Sequence, residues 1–447
     1  MRQVCALSCF SDADQSAVNP TKVLWLMALA LSLAACPGKS TTAPPDPRSR
    51  PTAVASRSFG DPPVQGQLML VPAADGSIWD YRVDLDADGS VDRSGTLDGP
   101  VELDYSLIAS GVHRLLITFS GSRGFVPDTA FVIVNDPSVA TLRNHRGPPE
   151  LSNTLRGIAF AGGFLYTTNG SAVERRDPVT LETVATTVVL DSPAKSLQGL
   201  AVSPEGLLYA INRQRPEVLE FSILALQHLR TLRSSFVADF FIDARLSGRL
   251  HAGGGEGLAI VDLQQNALVV ERRFIAGFHF ALGPRSRTVA LAQKGSEPRV
   301  RLLSAETLED VWEFPMGDVS PELLAFSGRE DVIYVLGLDS GNNVMFLALD
   351  RVTGSPIRNV TLEPCQSPSH CFRLVESNPV LTLDDFTVMT SANGAYLIFH
   401  DSHLPLYRIG STAPPIVTCC NVARGPDTRS LYFSGHDGSL TSVVLAF

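Results

Sequence analysis

At 447 residues the chain can hold two or three ordinary domains, or one large repeat domain with a small companion. Its formal net charge is −10 and its 36 Lys and Arg never gather into a run, which excludes the basic footprint of a nucleic-acid-binding protein. A hydrophobic share of 44%, with 35 Gly and 30 Pro, is the composition of a turn-rich chain with a real core and points to an all-β fold.

In chain order the first feature is the apolar run Val23 to Ala35, preceded by Lys22. It is of signal-peptide length and too short for a bilayer span, which takes ~20 residues. The run ends in Leu33-Ala34-Ala35-Cys36, which resembles a bacterial lipobox. The resemblance implies that Cys36 receives lipid and that residues 1–36 are signal peptide and lipobox. Acyl chains then hold the protein at the membrane surface, each buried CH2 contributing ~0.8 kcal/mol. Pro37, rather than Asp, follows the cysteine, and by the familiar diderm sorting pattern this implies the outer membrane. An ordinary secretory signal with a chance cysteine is the competing reading. Residues 37–63, rich in Pro, Ser, Thr and Ala, read as a tether and favour the first. Residues 1–22, with Asp12 and Asp14, are long for the segment before a signal core and point to a start codon further downstream.

Residues 64–136 alternate apolar and polar in short runs, such as Gln67 to Val71, Val101 to Tyr105, Arg114 to Phe119 and Ala130 to Val134. These are strands of a small sandwich. Tyr81-Arg82-Val83-Asp84-Leu85-Asp86-Ala87-Asp88-Gly89 resembles the Y-x-W-D-x-D-x-D-G motif of polycystic-kidney-disease (PKD) type Ig-like domains, with Val83 in place of Trp. Gly111 to Ile117 resembles a later strand of that family. In the same loop Asp84, Asp86 and Asp88 alternate, Gly89 supplies a sharp turn, and Asp92 follows. Alternate carboxylates converge on a hard cation, which makes these four residues a candidate calcium site. The twelfth position of an EF-hand would be Gly95, not Glu, so the site is looser than an EF-hand. A solvated acidic hairpin is the competing reading.

From residue 137 to 447 the chain repeats with a period of roughly 40 residues. Gly157 to Tyr166 and Gly199 to Tyr209 are two copies of strand, tight turn, strand. Further copies lead to Tyr334, Tyr432, His251 and Ala290, and one reads Phe386 to Met389 before Ala395 to Leu397. After them comes a polar turn of recurring type, at Asp177 to Thr180, Ser304 to Thr307 and Asp350 to Thr353. The repeats resemble those of YVTN/lactonase-like, quinoprotein-like β-propellers. The resemblance implies about seven four-stranded blades. The last repeat is one strand short, and Ser138 to Arg143 is expected to supply the missing strand and close the ring. Tyr166, Tyr209, Tyr334 and Tyr432 recur in register and are expected to pack rather than bind.

The spacing stretches near Glu363 to Thr382, read as an insertion loop. It contains Cys365 and Cys371, candidates for a disulfide in an oxidising compartment. Cys419 and Cys420 form a vicinal pair, bond to the other two, or stay reduced. No metalloprotease, serine-hydrolase or P-loop motif occurs. The glycine-rich stretch after His251 and the cluster His400-Asp401-Ser402-His403 read as turns. Glu256, Asp239, Asp243 and Asp385 are the acidic residues placed to reach a central channel, and they make no recognisable catalytic set.

Two functions follow. The first is a non-enzymatic envelope lipoprotein whose propeller binds an envelope protein or glycan. The second, implied by the resemblance alone, is a lactonase- or lyase-type enzyme acting on an extracytoplasmic small molecule. Replacing the lipobox cysteine, Cys36→Ala, is expected to abolish incorporation of labelled palmitate and to release the protein from the membrane fraction. Labelling that persists in the variant would remove the lipobox reading.

Overall fold

The structure is a computed structural model. It describes residues 50–447 apart from 57–58, 123, 147–156, 189–196, 213–214, 216, 234–240, 255–256, 275–277, 284, 286, 365–378, 392–393, 411–420, 428 and 436–438. Among the described residues the elements are strands, with one 3-10 turn at Pro137–Val139. Among the described residues no helix is long and apolar enough to cross a membrane. The lipobox, with Cys36, and the four cysteines Cys365, Cys371, Cys419 and Cys420 lie outside the described residues.

The N-terminal part is a two-sheet sandwich. One sheet has three strands, β1 (Thr52–Ala55), β3 (Val64–Val71) and β6 (Val101–Leu107), in the order β1-β3-β6. The other holds β2 (Phe59–Gly60), β4 (Trp79–Asp84), β5 (Arg93–Leu97), β7 (Gly111–Gly121) and β8 (Gly124–Val134), in the order β2-β8-β7-β4-β5. Period-2 alternation sends Leu68, Leu70, Trp79, Val83, Leu115, Ile117, Phe119 and Val132 into one core between them. Thr52 to Gly60, expected in the tether, instead add strands β1 and β2 to the two sheets. They are too short to carry a readable alternation, and the flanking prolines bound them without interrupting a ladder.

Residues 140–447 form propeller-like four-stranded antiparallel sheets. In sequence order they span 157–188, 197–233, 241–273, 278–315, 320–364 and 380–409; the last combines 421–445 with β9 (Ala140–Arg146). Within each of the first six, successive strands are neighbours. The first strand of every sheet touches the first strand of the next, and that of the last touches that of the first, so the row closes. As expected, the strand before the first repeat completes the final sheet: β9 pairs antiparallel with Leu440–Leu445. Closure leaves no inner edge open to foreign strands.

One register governs all seven sheets. The third residue of each second strand is Tyr166, Tyr209, His251, Ala290, Tyr334, Val388 or Tyr432. The repeat through Phe386 is therefore one strand out of step with the others. Val380–Thr382 is the first strand of that sheet, Phe386–Ser391 the second, and Tyr396 stands on the third. A first strand of three residues is too short to register as a repeat, and the hairpin after it carries the stronger strand-turn-strand pattern. For the same reason the insertion loop ends before Val380, not at Thr382.

Between third and fourth strands runs a five-residue turn. Its first side chain, Asp177, Asp262, Asp350 or Ser304, accepts the amides of the third and fourth residues at 2.7 to 3.2 Å. Its fifth residue is left-handed: Leu181 (φ 62), Leu226 (φ 51) and Leu308 (φ 57) among them. Such a conformation costs a leucine on the order of 1 kcal/mol. All three side chains are buried, which offsets it by ~1.5–3 kcal/mol.

The second residue of this turn carries the bond between sheets. Tyr166 Oη donates to the Ile223 carbonyl of the next sheet at 2.9 Å, and Tyr432 Oη to Pro178 O at 2.9 Å. His251 Nε2 meets Ala305 O at 3.1 Å. A carbonyl only accepts, so Nε2 carries the proton. Where Ala290 offers nothing, Trp312 Nε1 donates to Arg351 O at 2.7 Å. Arg230, held by Glu220, donates to Leu263 O at 2.6 Å. Between the fifth and sixth sheets the contact falls instead on the side chain of the turn's fifth residue, Tyr334 Oη meeting His403 Nδ1 at 3.0 Å.

The sandwich is fixed against the outer edges of the fifth and sixth sheets. Phe59, fully buried, meets the Tyr396 ring edge-on with centroids 5.7 Å apart. Arg408, buried on the fourth strand of the sixth sheet, pairs with Asp61 at 2.8 Å. Asn135 donates to Asp61 at 2.7 Å, accepts the Arg408 amide at 2.9 Å and donates to its carbonyl at 3.3 Å. Its side-chain amide thus stands in for a paired strand.

At Tyr166 phenylalanine keeps the ring and removes only the donor, whereas at the buried His251 it also enlarges the ring. Tyr166→Phe and His251→Phe are each expected to lower unfolding free energy by about 1–2 kcal/mol, because a buried carbonyl loses its donor. Urea unfolding of the two variants measures this, and unchanged midpoints would show that the rings act by packing alone.

Candidate functional site

The first strands of all seven sheets line a half-open cavity of about 350 Å³. Its wall is built by the same register as the junctions. Across from the second-strand column stand Ala159, Ala201, Asp243, Ala281, Ala325, Leu381 and Ala423. Alanine suits this column because first strands approach each other closely where the sheets converge. Phe160, Val202 and Phe280 add larger apolar surface to the lining.

Charge enters the wall at two places. Asp243 replaces an alanine of the column and is held by Arg245, whose Nε lies 3.0 and 2.9 Å from its two oxygens. Arg245 also donates to Leu282 O at 2.8 Å. Arg424, the last residue of its first strand, is exposed at the cavity and makes no ion pair or hydrogen bond among the described residues. Thr382 is a neutral polar member of the lining.

His279 also belongs to the wall and is buried. Its Nδ1 accepts the Leu324 amide at 3.1 Å, so the imidazole is needed as an acceptor. Burial, reinforced by the charge of Lys294, pushes its pKa down to about 3. His251 and His400 are also shifted downward, in both cases chiefly by burial.

Of the acidic residues expected at the channel, Asp243 lines it. Asp385 instead lies exposed in the turn beyond the first strand of the sixth sheet, where its carbonyl accepts the His400 amide at 3.0 Å. Asp239 and Glu256 lie outside the described residues. Of the glycine-rich stretch read as a turn, His251, Ala252, Gly253 and Gly254 belong instead to a second strand, Arg249–Gly254, and residues 255–256 lie outside the described residues. Sequence reasoning missed Arg245, Arg424 and His279. The signal was available for Arg424, a charge within the otherwise apolar copy Val422-Ala423-Arg424, but its meaning depends on knowing which strand is innermost.

In the sandwich, oxygens of Asp84, Asp86 and Asp88 lie within 4.8 Å of one another, and this cluster could hold a metal ion. Asp84 Oδ2 accepts the Gly89 amide at 2.9 Å. Burial raises its pKa, but the amides of Gly89, Ala87 and Asp86 together outweigh burial and hold it below the usual carboxylate value. Asp92 stands apart from the cluster, its Oδ2 accepting the Leu85 amide at 2.6 Å.

The fold and the cavity define an all-β, propeller-like protein. The sequence matches no protein-family model and no curated protein. Among solved structures the chain is similar to Kuenenia stuttgartiensis hydrazine synthase, a β-propeller-containing protein, with a TM-score of 0.53 and 12% identity. The similarity covers 67% of this chain and 97% of that one. At that identity the likeness is one of fold.

The buried histidines set an acid limit on stability. Their folded pKa values lie below the unfolded value of ~6.5, so the unfolded state binds more protons as pH falls. Their contribution is complete above pH ~6.5 and shrinks as pH drops towards the folded value, which for His279 is about 3. The melting temperature is expected to fall below pH ~6.5. His279→Gln, which keeps an acceptor, is expected to make the fall shallower between pH 6.5 and 4. An identical slope in the variant would count against a neutral His279.

Proposed function

We propose that this chain is an exported, lipid-anchored envelope protein in which a seven-bladed β-propeller, with a PKD-type Ig-like sandwich docked on its side, serves as a scaffold that binds an envelope protein or glycan. The lipobox at Cys36 supports the address, with the outer membrane as its membrane. The closed row of four-stranded sheets supports the blade count. The acidic loop supports a structural calcium ion in the sandwich, on Asp84, Asp86 and Asp88.

The observation that carries the binding reading is the lining of the cavity. Among the described residues its carboxylate, Asp243, is spent on Arg245, and its histidine, His279, is spent on a backbone amide. Acid–base or nucleophilic chemistry needs such groups free and converging on one reacting atom. The alternative, a lactonase- or lyase-type enzyme, rests on the resemblance of the repeats.

The segment between Pro364 and Val380, with Cys365 and Cys371, is the proposed contact, since long loops on a rigid scaffold tend to carry recognition. Its test is in-cell crosslinking of the lipidated protein, mild detergent purification and mass spectrometry. One or a few stoichiometric envelope partners are expected, and they should be lost when residues 365–378 are replaced by a short Gly-Ser linker. The first strand of the sixth sheet, from Val380, stays intact in that variant. A partner-free protein would overturn the binding reading and favour the enzyme, to be pursued by metal analysis and metabolite screening.

A further inference from the structure

The cavity has a feature that binding by a surface loop does not use. It is small, its wall is divided almost evenly between polar and apolar surface, and among the described residues it carries one cation without an ion pair. At about 350 Å³ it lies at the lower end of the ~300–1,000 Å³ usual for small-molecule sites. Asp243 and Arg245 cancel each other, and Arg245 is further committed to the Leu282 carbonyl. Glu322, the carboxylate near His279's strand, is paired with Lys294. Arg424 remains the one charge lining the cavity without an ion pair among the described residues.

Such a wall selects by charge and by shape together. Phe160, Val202, Phe280 and Leu381 present apolar surface, which favours a hydrocarbon or aromatic body. A guanidinium presents a fork of N–H donors that matches a carboxylate in plane and spacing. A cation would face Arg424 at the cavity and is disfavoured.

We propose that the central cavity is a binding site for a small amphipathic carboxylate, its apolar body against Phe160, Val202, Phe280 and Leu381 and its carboxylate on Arg424. This site is separate from the loop contact proposed above, and either stands if the other falls. Arg424 is exposed and joins no network among the described residues, so replacing it leaves the fold intact.

The test uses the full-length lipoprotein in lipid nanodiscs, with empty nanodiscs as reference, and isothermal titration with 3-phenylpropionate and its uncharged amide. The carboxylate is expected to bind about tenfold or more tightly than the amide. Arg424→Gln is expected to raise the carboxylate's Kd about tenfold to a hundredfold, the worth of a charge-assisted hydrogen bond, and to leave the amide's Kd unchanged. Arg424→Lys is expected to recover part of the loss. Filling the cavity with Val202→Trp is expected to abolish binding of both probes. Equal affinity for carboxylate and amide, no saturable heat beyond that of empty nanodiscs, or an Arg424→Gln variant that binds as before would each overturn the assignment.

Discussion

The ring depends on one hydrogen bond repeated from sheet to sheet. A donor on one sheet reaches the carbonyl of the second residue in the neighbour's third-to-fourth-strand turn. Tyr166 and Tyr432 make it with a phenol, His251 with an imidazole, Trp312 with an indole and Arg230 with a guanidinium. Buried carbonyls away from water need a partner, and at each of these junctions the partner is a side chain of the adjoining sheet. The bond therefore couples neighbours that are otherwise held by non-directional packing. It also sets the turn in place, which lets buried leucines occupy left-handed backbone that would be unfavourable in isolation.

Because the junctions fix the angle between sheets, the first strands meet at a narrow wall where alanine predominates. The few departures from alanine then acquire meaning. Asp243 introduces a charge that must be paired, and Arg245 pairs it. Arg424 introduces a charge at the cavity and stays free among the described residues. The cavity's character follows from a small number of side chains set on a repeated frame, as is common where one architecture hosts unrelated functions.

The sandwich packs against the fifth and sixth sheets within one compact unit. Phe59 seals the contact, and Asp61, Asn135 and Arg408 satisfy one another inside it. Asn135 caps an outer strand's backbone that would otherwise be free to pair with a foreign strand.

By itself the sequence determined the all-β class, the repeat, the strand-poor last copy with its spare strand at the front, and the polar turns. These are local patterns, with periods of two and roughly forty residues, and local patterns survive being read one at a time. The alternation from Val64 to Val134 likewise marked a two-sheet sandwich. What escaped reading were short or displaced pieces: strands Thr52–Ala55 and Phe59–Gly60 within a Pro- and Ser-rich stretch, and the three-residue strand Val380–Thr382. Only the tertiary structure decided that His251 does a tyrosine's work, that Trp312 stands in for Ala290, that Asp243 faces Arg245, and that Arg424 lies on the cavity wall. Each of these depends on which residues meet across sheets far apart in the chain, and no spacing along one strand encodes that meeting.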